Sequence, residues 1–155
     1  MSAMNGKRTL SVLRGGAPGT PNWGARCGIM KKQPAREALV VEDEPMTRMV
    51  AADAISEVGV KVYEAGDAGE AIQLLGAHPK VGLLFTDIEL PGNTNGLVLA
   101  EEVHEARPDV ELIVTSGTNQ VADSDLPDSG TFLSKPYRTE KLQKIVKEKL
   151  ESRHS

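Results

Sequence analysis

The sequence predicts an α/β domain in which five parallel strands are covered by helices on both faces. From residue 37 onward, short apolar runs alternate with amphipathic stretches, the pattern of repeated βα units. The runs are nearly continuous in apolar residues, as expected of strands buried on both sides. Several of them end in carboxylates, hydroxyls or an amine, and ligands gather at the carboxyl ends of such strands.

The first strand is "EALVVE", and "PMTRMVAADAISEVG" reads as a helix with Pro45 in its first turn and Gly59 as its stop. "VKVYEA" is a short alternating strand. In "DAGEAIQLLGAH", helical spacing puts Ala68, Ala71, Ile72 and Leu75 on one face. "VGLLFTD" is the third strand, and "NGLVLAEEVHEARP" a helix with Leu97, Val98, Leu99 and Val103 inward, ended by Pro108. "VELIVTSG" is the fourth strand. The next stretch, "TNQVADSDLPDSG", has too few periodic apolar residues for a well-formed helix. "TFLSKPY" is the fifth strand, and in "RTEKLQKIVKEKLE" Leu142, Ile145, Val146 and Leu150 form an apolar stripe.

Past the strand ends stand Glu42 and Asp43, then Asp87, then Thr115 and Ser116, then Lys135 with Pro136. Crowded carboxylates need a hard divalent cation to offset their repulsion, and oxygen ligands with room for water favour Mg²⁺. A carboxylate beside that cation can act as nucleophile on phosphorus, a lysine ammonium can balance the transferring oxygens, and a small hydroxyl can sense the acquired group. Glu44, next to Pro45, suits the positive end of the following helix instead.

The 155 residues suffice for one domain, and no apolar run approaches the roughly 18 residues of a membrane span. The net charge of −4 hides two characters: residues 1–36 carry seven basic residues and no acid, whereas the remainder has 11 basic against 22 acidic residues. The first 35 residues, rich in Gly, Pro and Ser without periodicity, are expected to be a disordered basic arm, and 152–155 a tail. Met30 is a candidate alternative start. The arm lacks a secretory apolar core, and its scattered basic residues do not form a nucleic-acid patch. Cys27 has no Cys or His at metal-ligand spacing, "GGAPGTP" lacks the ending of a phosphate loop, and His78, His104 and His154 need no role beyond solvated surface residues.

"VVEDEP", "LLFTDIELPG", "LIVTSG" and "FLSKPY", in this order and spacing, resemble the receiver domain of two-component response regulators over residues 36–151. The resemblance implies a flavodoxin-like strand order of 2-1-3-4-5. It also implies Asp87 as phosphoacceptor, Mg²⁺ held by Asp43 and Asp87, by Glu42 through water and by the Glu89 backbone carbonyl, and Lys135 paired with Asp87 and later with the phosphoryl group. Pro136 would follow a cis bond. Ser116 fits the switch hydroxyl, with Thr115 the alternative if the register slips by one, and Phe132 matches the aromatic that swings inward on activation, or is plain core packing.

Two departures stand out. "DIELPGNTNG" has one residue more between Pro91 and Gly96 than the usual family loop, and "TNQVADSDLPDSG" falls where the fourth family helix belongs, so that helix is expected to be short, frayed or disordered until phosphorylation orders it. With only "SRHS" after the last helix, a single-domain regulator is expected. It would take its phosphoryl group from a histidine kinase or histidine phosphotransfer protein, act on a downstream protein target, bind neither nucleic acid nor membrane, and reside in the bacterial cytoplasm. It is not expected to be an enzyme beyond self-phosphorylation and slow autodephosphorylation. A Mg²⁺-dependent phosphatase with Asp87 as nucleophile and Glu89 as acid shares the chemistry but lacks room for a cap domain. A phosphorylation-independent interaction module is disfavoured by the joint presence of Asp43, Asp87 and Lys135.

Overall fold

The computed structural model describes residues 37–118, 121–127 and 130–152, within a compact unit spanning Pro34–Ser155. The arm expected over residues 1–35, with Trp23 and Cys27, and residues 153–155 of the expected tail, with His154, lie outside the described residues, while Ser152 ends the last helix.

The strands are β1 (Glu37–Val41), β2 (Lys61–Ala65), β3 (Val81–Asp87), β4 (Glu111–Ser116) and β5 (Gly130–Ser134). The helices are α1 (Pro45–Ser56), α2 (Ala68–Ala77), α3 (Gly96–Ala106) and α4 (Thr139–Ser152). All strand pairs are parallel, in the order β2-β1-β3-β4-β5. The order reverses at β1 and β3, which opens a crevice beyond their carboxyl ends.

Two-residue alternation sends the side chains of the central strands to opposite faces. Ala38, Val40, Leu83, Phe85 and Ile113 pack with Ala51 and Ile55 of α1 and Leu142 and Val146 of α4. Leu39, Val41, Leu84, Leu112 and Val114 pack with Ala71 and Leu75 of α2 and Leu99 and Val103 of α3. The sheet is therefore doubly wound, and every residue of β3 is buried.

Local chemistry sets the helix boundaries. Glu44 caps α1 by accepting the Thr47 amide at 2.7 Å, with Pro45 following at the first turn, and Gly59 takes the positive φ of 100° that ends the segment. Asp67 and Asn95 cap α2 and α3. Two expected inward residues turn outward: Ile72 is 47% exposed and Val98 is 39% exposed, while Leu99 beside Val98 is fully buried. The small alanines Ala68, Ala71 and Ala100 let α2 and α3 lie close to the sheet, so a narrower stripe suffices for burial.

Between β4 and β5 the described residues hold only a 3-10 turn, Asp123–Asp125, as its poor periodicity predicts. Leu126 is its buried anchor, and the Asp123 carboxylate accepts the Phe132 amide of edge strand β5 at 2.8 Å.

Candidate functional site

The site grows from the ends of β1 and β3. Glu42 directly follows β1, is 2% exposed, and is fixed by its own amide donating to the Ala65 carbonyl at 3.0 Å. Arg48 of α1 donates to the Glu42 carbonyl at 3.0 Å and pairs with Glu64 at 3.2 Å, so one guanidinium holds the loop against the edge strand. The next residue, Asp43, is exposed. Asp87 ends the buried β3 and is itself 3% exposed.

Carboxylate oxygens of Glu42, Asp43 and Asp87 lie within 4.8 Å of one another. The Lys135 ammonium bridges two of these groups, donating to Glu42 Oε1 at 2.9 Å and Asp87 Oδ2 at 3.1 Å. One cation among three acids leaves a like-charge excess. Accordingly Asp87 is pushed up from its ordinary 3.8 to about 6, first by burial and then by the Glu42 charge, against the opposing hydrogen bond from Lys135. Burial draws the Lys135 ammonium down, but its bonds to Glu42 and Asp87 more than reverse this and hold it above its ordinary value. The all-oxygen donor set and the uncompensated charge suit a hard divalent cation, so Glu42, Asp43 and Asp87 could hold one.

A glycine shapes this pocket. A Cβ on Gly96, the first residue of α3, would lie 2.0 Å from the Asp87 carbonyl oxygen, so only glycine lets α3 approach the end of β3 this closely. The Gly96 amide donates to the Ile88 carbonyl at 2.9 Å, tying helix and strand end together. The sequence marked this glycine only as the end of a lengthened loop.

The two candidate switch hydroxyls are separated by geometry. Thr115 is fully buried and donates to the Leu133 carbonyl at 2.6 Å, a bond that stitches β4 to β5. Ser116 donates instead to the Glu89 carboxylate at 2.6 Å, two residues past Asp87. The Glu89 amide donates to Asp87 Oδ1 at 3.3 Å. No local sequence signal marks the Glu89 side chain as a partner of Ser116, because a contact over 27 residues depends on how two loops fold back. The Lys135–Pro136 peptide bond is cis, and Phe132 is partly buried against the cluster under α2 and α3. Tyr137 packs edge-on to Phe85 with centroids 6.1 Å apart, and burial raises its pKa.

Fold and site together define a doubly wound α/β domain with a lysine-bridged acidic centre at its topological switch point. A family model described as the response regulator receiver domain matches residues 38–147, and the chain belongs to that family. The aerobic respiration control protein ArcA of Escherichia coli (strain K12) is 34% identical over 107 residues, which is 67% of this chain and 44% of ArcA. The transcriptional regulatory protein PdtaR of Mycobacterium tuberculosis is 30% identical over 105 residues, 66% of this chain and 50% of PdtaR. This chain thus matches half or less of the length of either relative. Among solved structures, the receiver domain of NtrX from Brucella abortus is similar with a TM-score of 0.68 at 28% identity, covering 74% of this chain and 98% of that one. Among the described residues no helix is long and apolar enough to cross a membrane.

Proposed function

We propose that Asp87 accepts a phosphoryl group from a phosphohistidine on a histidine kinase or histidine phosphotransfer protein, and that the resulting conformational change is read by a downstream protein. The observation that carries this reading is the placement of the Asp87 carboxylate, buried at a strand end, bonded to Lys135 and flanked by Glu42 and Asp43. An Asp87 oxygen attacks phosphorus as the bond to the donor's imidazole nitrogen breaks, and an acyl phosphate forms. At neutral pH Asp87 is mostly ionised despite its raised pKa, so the nucleophile is present.

Glu42, Asp43 and Asp87 would hold Mg²⁺, with the Glu89 carbonyl a further ligand by resemblance to the family. The cation supplies charge compensation to the phosphoryl oxygens. Lys135, already on Asp87, can follow the phosphoryl group with its ammonium. Ser116 offers a hydroxyl to the same group, and Phe132, one strand over, is the aromatic whose packing would respond. Water attack then returns Asp87 and releases phosphate, so the chain undergoes slow self-dephosphorylation rather than turnover of a substrate. Its place of action would be the cytoplasm of a bacterium.

The test is incubation with Mg²⁺ and acetyl phosphate, followed by intact mass. Wild type should gain one phosphoryl group and Asp87→Asn none. Equal uptake by both would remove Asp87 from the role, and steady hydrolysis of added phosphate esters would indicate a phosphatase instead.

A further inference from the structure

Ser116 is 1% exposed, and its hydroxyl donates to Glu89 Oε2 at 2.6 Å. The Thr118 amide donates to Ser116 Oγ at 3.1 Å, and the Thr118 hydroxyl donates to the same Glu89 oxygen at 3.1 Å. A serine hydroxyl has one proton to donate. The lone pair engaged by the Thr118 amide leaves that proton directed at Glu89, and while it stays there it cannot be given to a phosphoryl oxygen on Asp87.

We propose that Glu89 is a latch on the switch hydroxyl: its side chain holds Ser116 and Thr118 in the resting arrangement and must yield Ser116 before a phosphorylated Asp87 can be sensed. This rests on the reading of Asp87 as phosphoacceptor. Glu89 acts through Ser116 and is a positioning residue. Its carboxylate and the phosphoryl group are both anionic acceptors, so they compete for one donor, and the winner decides where the segment after β4 is anchored. Release also disturbs Thr118, whose amide and hydroxyl donate to Ser116 and Glu89. The segment leads on to Asp123, whose carboxylate holds the Phe132 amide at 2.8 Å, so losing the latch loosens the near end of a loop whose far end is fastened to β5. Glu89 is exposed and outside the core, so replacing it should leave folding intact.

The experiment compares wild type, Glu89→Ala, Glu89→Gln, Ser116→Ala and the double variant Glu89→Ala/Ser116→Ala. Each is titrated with beryllofluoride, a phosphoryl mimic, in the presence of Mg²⁺ and followed by fluorine NMR. Removing the acceptor in Glu89→Ala should tighten apparent affinity by roughly five- to tenfold, the net scale of one ordinary hydrogen bond. Glu89→Gln loses the charge but keeps an acceptor oxygen, so its gain should stay within about twofold. In the Ser116→Ala background, Glu89→Ala should change affinity by less than about twofold, since the donor is already gone. Hydrogen exchange at the Thr118 amide, measured without beryllofluoride, should accelerate in both Glu89→Ala and Ser116→Ala. The latch is overturned if Glu89→Gln equals Glu89→Ala, if the gain persists without Ser116, or if Thr118 exchange is unchanged. Should wild type bind no beryllofluoride, the phosphoacceptor reading falls, and the exchange at Thr118 still decides whether Glu89 holds Ser116.

Discussion

The two sides of the carboxyl edge are built differently. At the ends of β1 and β3, whose residues are buried apart from Glu37, Glu42 and Asp87 are at most 3% exposed, with Arg48 fixing the loop after β1 and Lys135 bridging the two carboxylates. Beyond β4, Gly117 and Thr118 are exposed, the described residues up to β5 contain one 3-10 turn, and the ties described there include the buried Leu126 and side-chain hydrogen bonds accepted by Glu89 and Asp123. The nucleophilic role proposed for Asp87 needs preorganisation, which burial supplies at every residue of β3. A responsive segment needs contacts weak enough for one new charged group to rearrange, and such segments come from the less stable parts of a fold.

The contrast can be broken most severely at Gly96. Gly96→Ala should destabilise the protein by about 3 kcal/mol, even though alanine favours a helix, because the added methyl meets the Asp87 carbonyl. Urea unfolding measures the loss, and acetyl phosphate uptake should fall with it as Asp87 is displaced. An unchanged midpoint would show that the strand end is softer than its burial implies.

The charge of the fixed side is tested by pH in divalent-free buffer. The folded pKa of Asp87, about 6, lies above its ordinary 3.8, so the stability favouring its protonated form is complete below pH 3.8 and lost as pH rises through 6. Asp87→Asn should therefore exceed wild type by about 1–2 kcal/mol at pH 8, after allowing for solvent around Lys135, and lose that advantage by pH 4. Thermal unfolding at both pH values checks this, and adding Mg²⁺ at pH 8 should raise the wild-type Tm more than that of the variant.

The smallest effect is expected on the responsive side. Asp123→Ala removes the acceptor of the Phe132 amide and should cost about 1 kcal/mol, mostly local. Amide exchange at Phe132 should accelerate while the strands keep their protection; a global loss of protection would mean that the turn belongs to the core.

Much of this was legible in the sequence because burial on both faces leaves continuous apolar runs: "ALVV" and "VGLLFTD" mark β1 and β3, and the acids after them mark the site. Helix faces were less legible, as Ile72 and Val98 show, since helical spacing gives a stripe but not its width. The choice between Thr115 and Ser116 was open, because adjacent hydroxyls differ only in which neighbour they meet, Leu133 or Glu89. The clamp by Arg48 and the approach of Gly96 depend on how elements close in three dimensions, and neither leaves a local signature.

In the mechanism proposed for this domain, a rigid acidic centre drives a loosely tied segment. This is tested most directly by hydrogen exchange on the whole chain with and without Mg²⁺ and beryllofluoride. Exchange should change little at Leu39–Val41 and Leu84–Thr86, and clearly at Thr118, across residues 121–127 and at Phe132. Unchanged exchange in that segment while beryllofluoride is bound, or a change concentrated in β1 and β3, would contradict it.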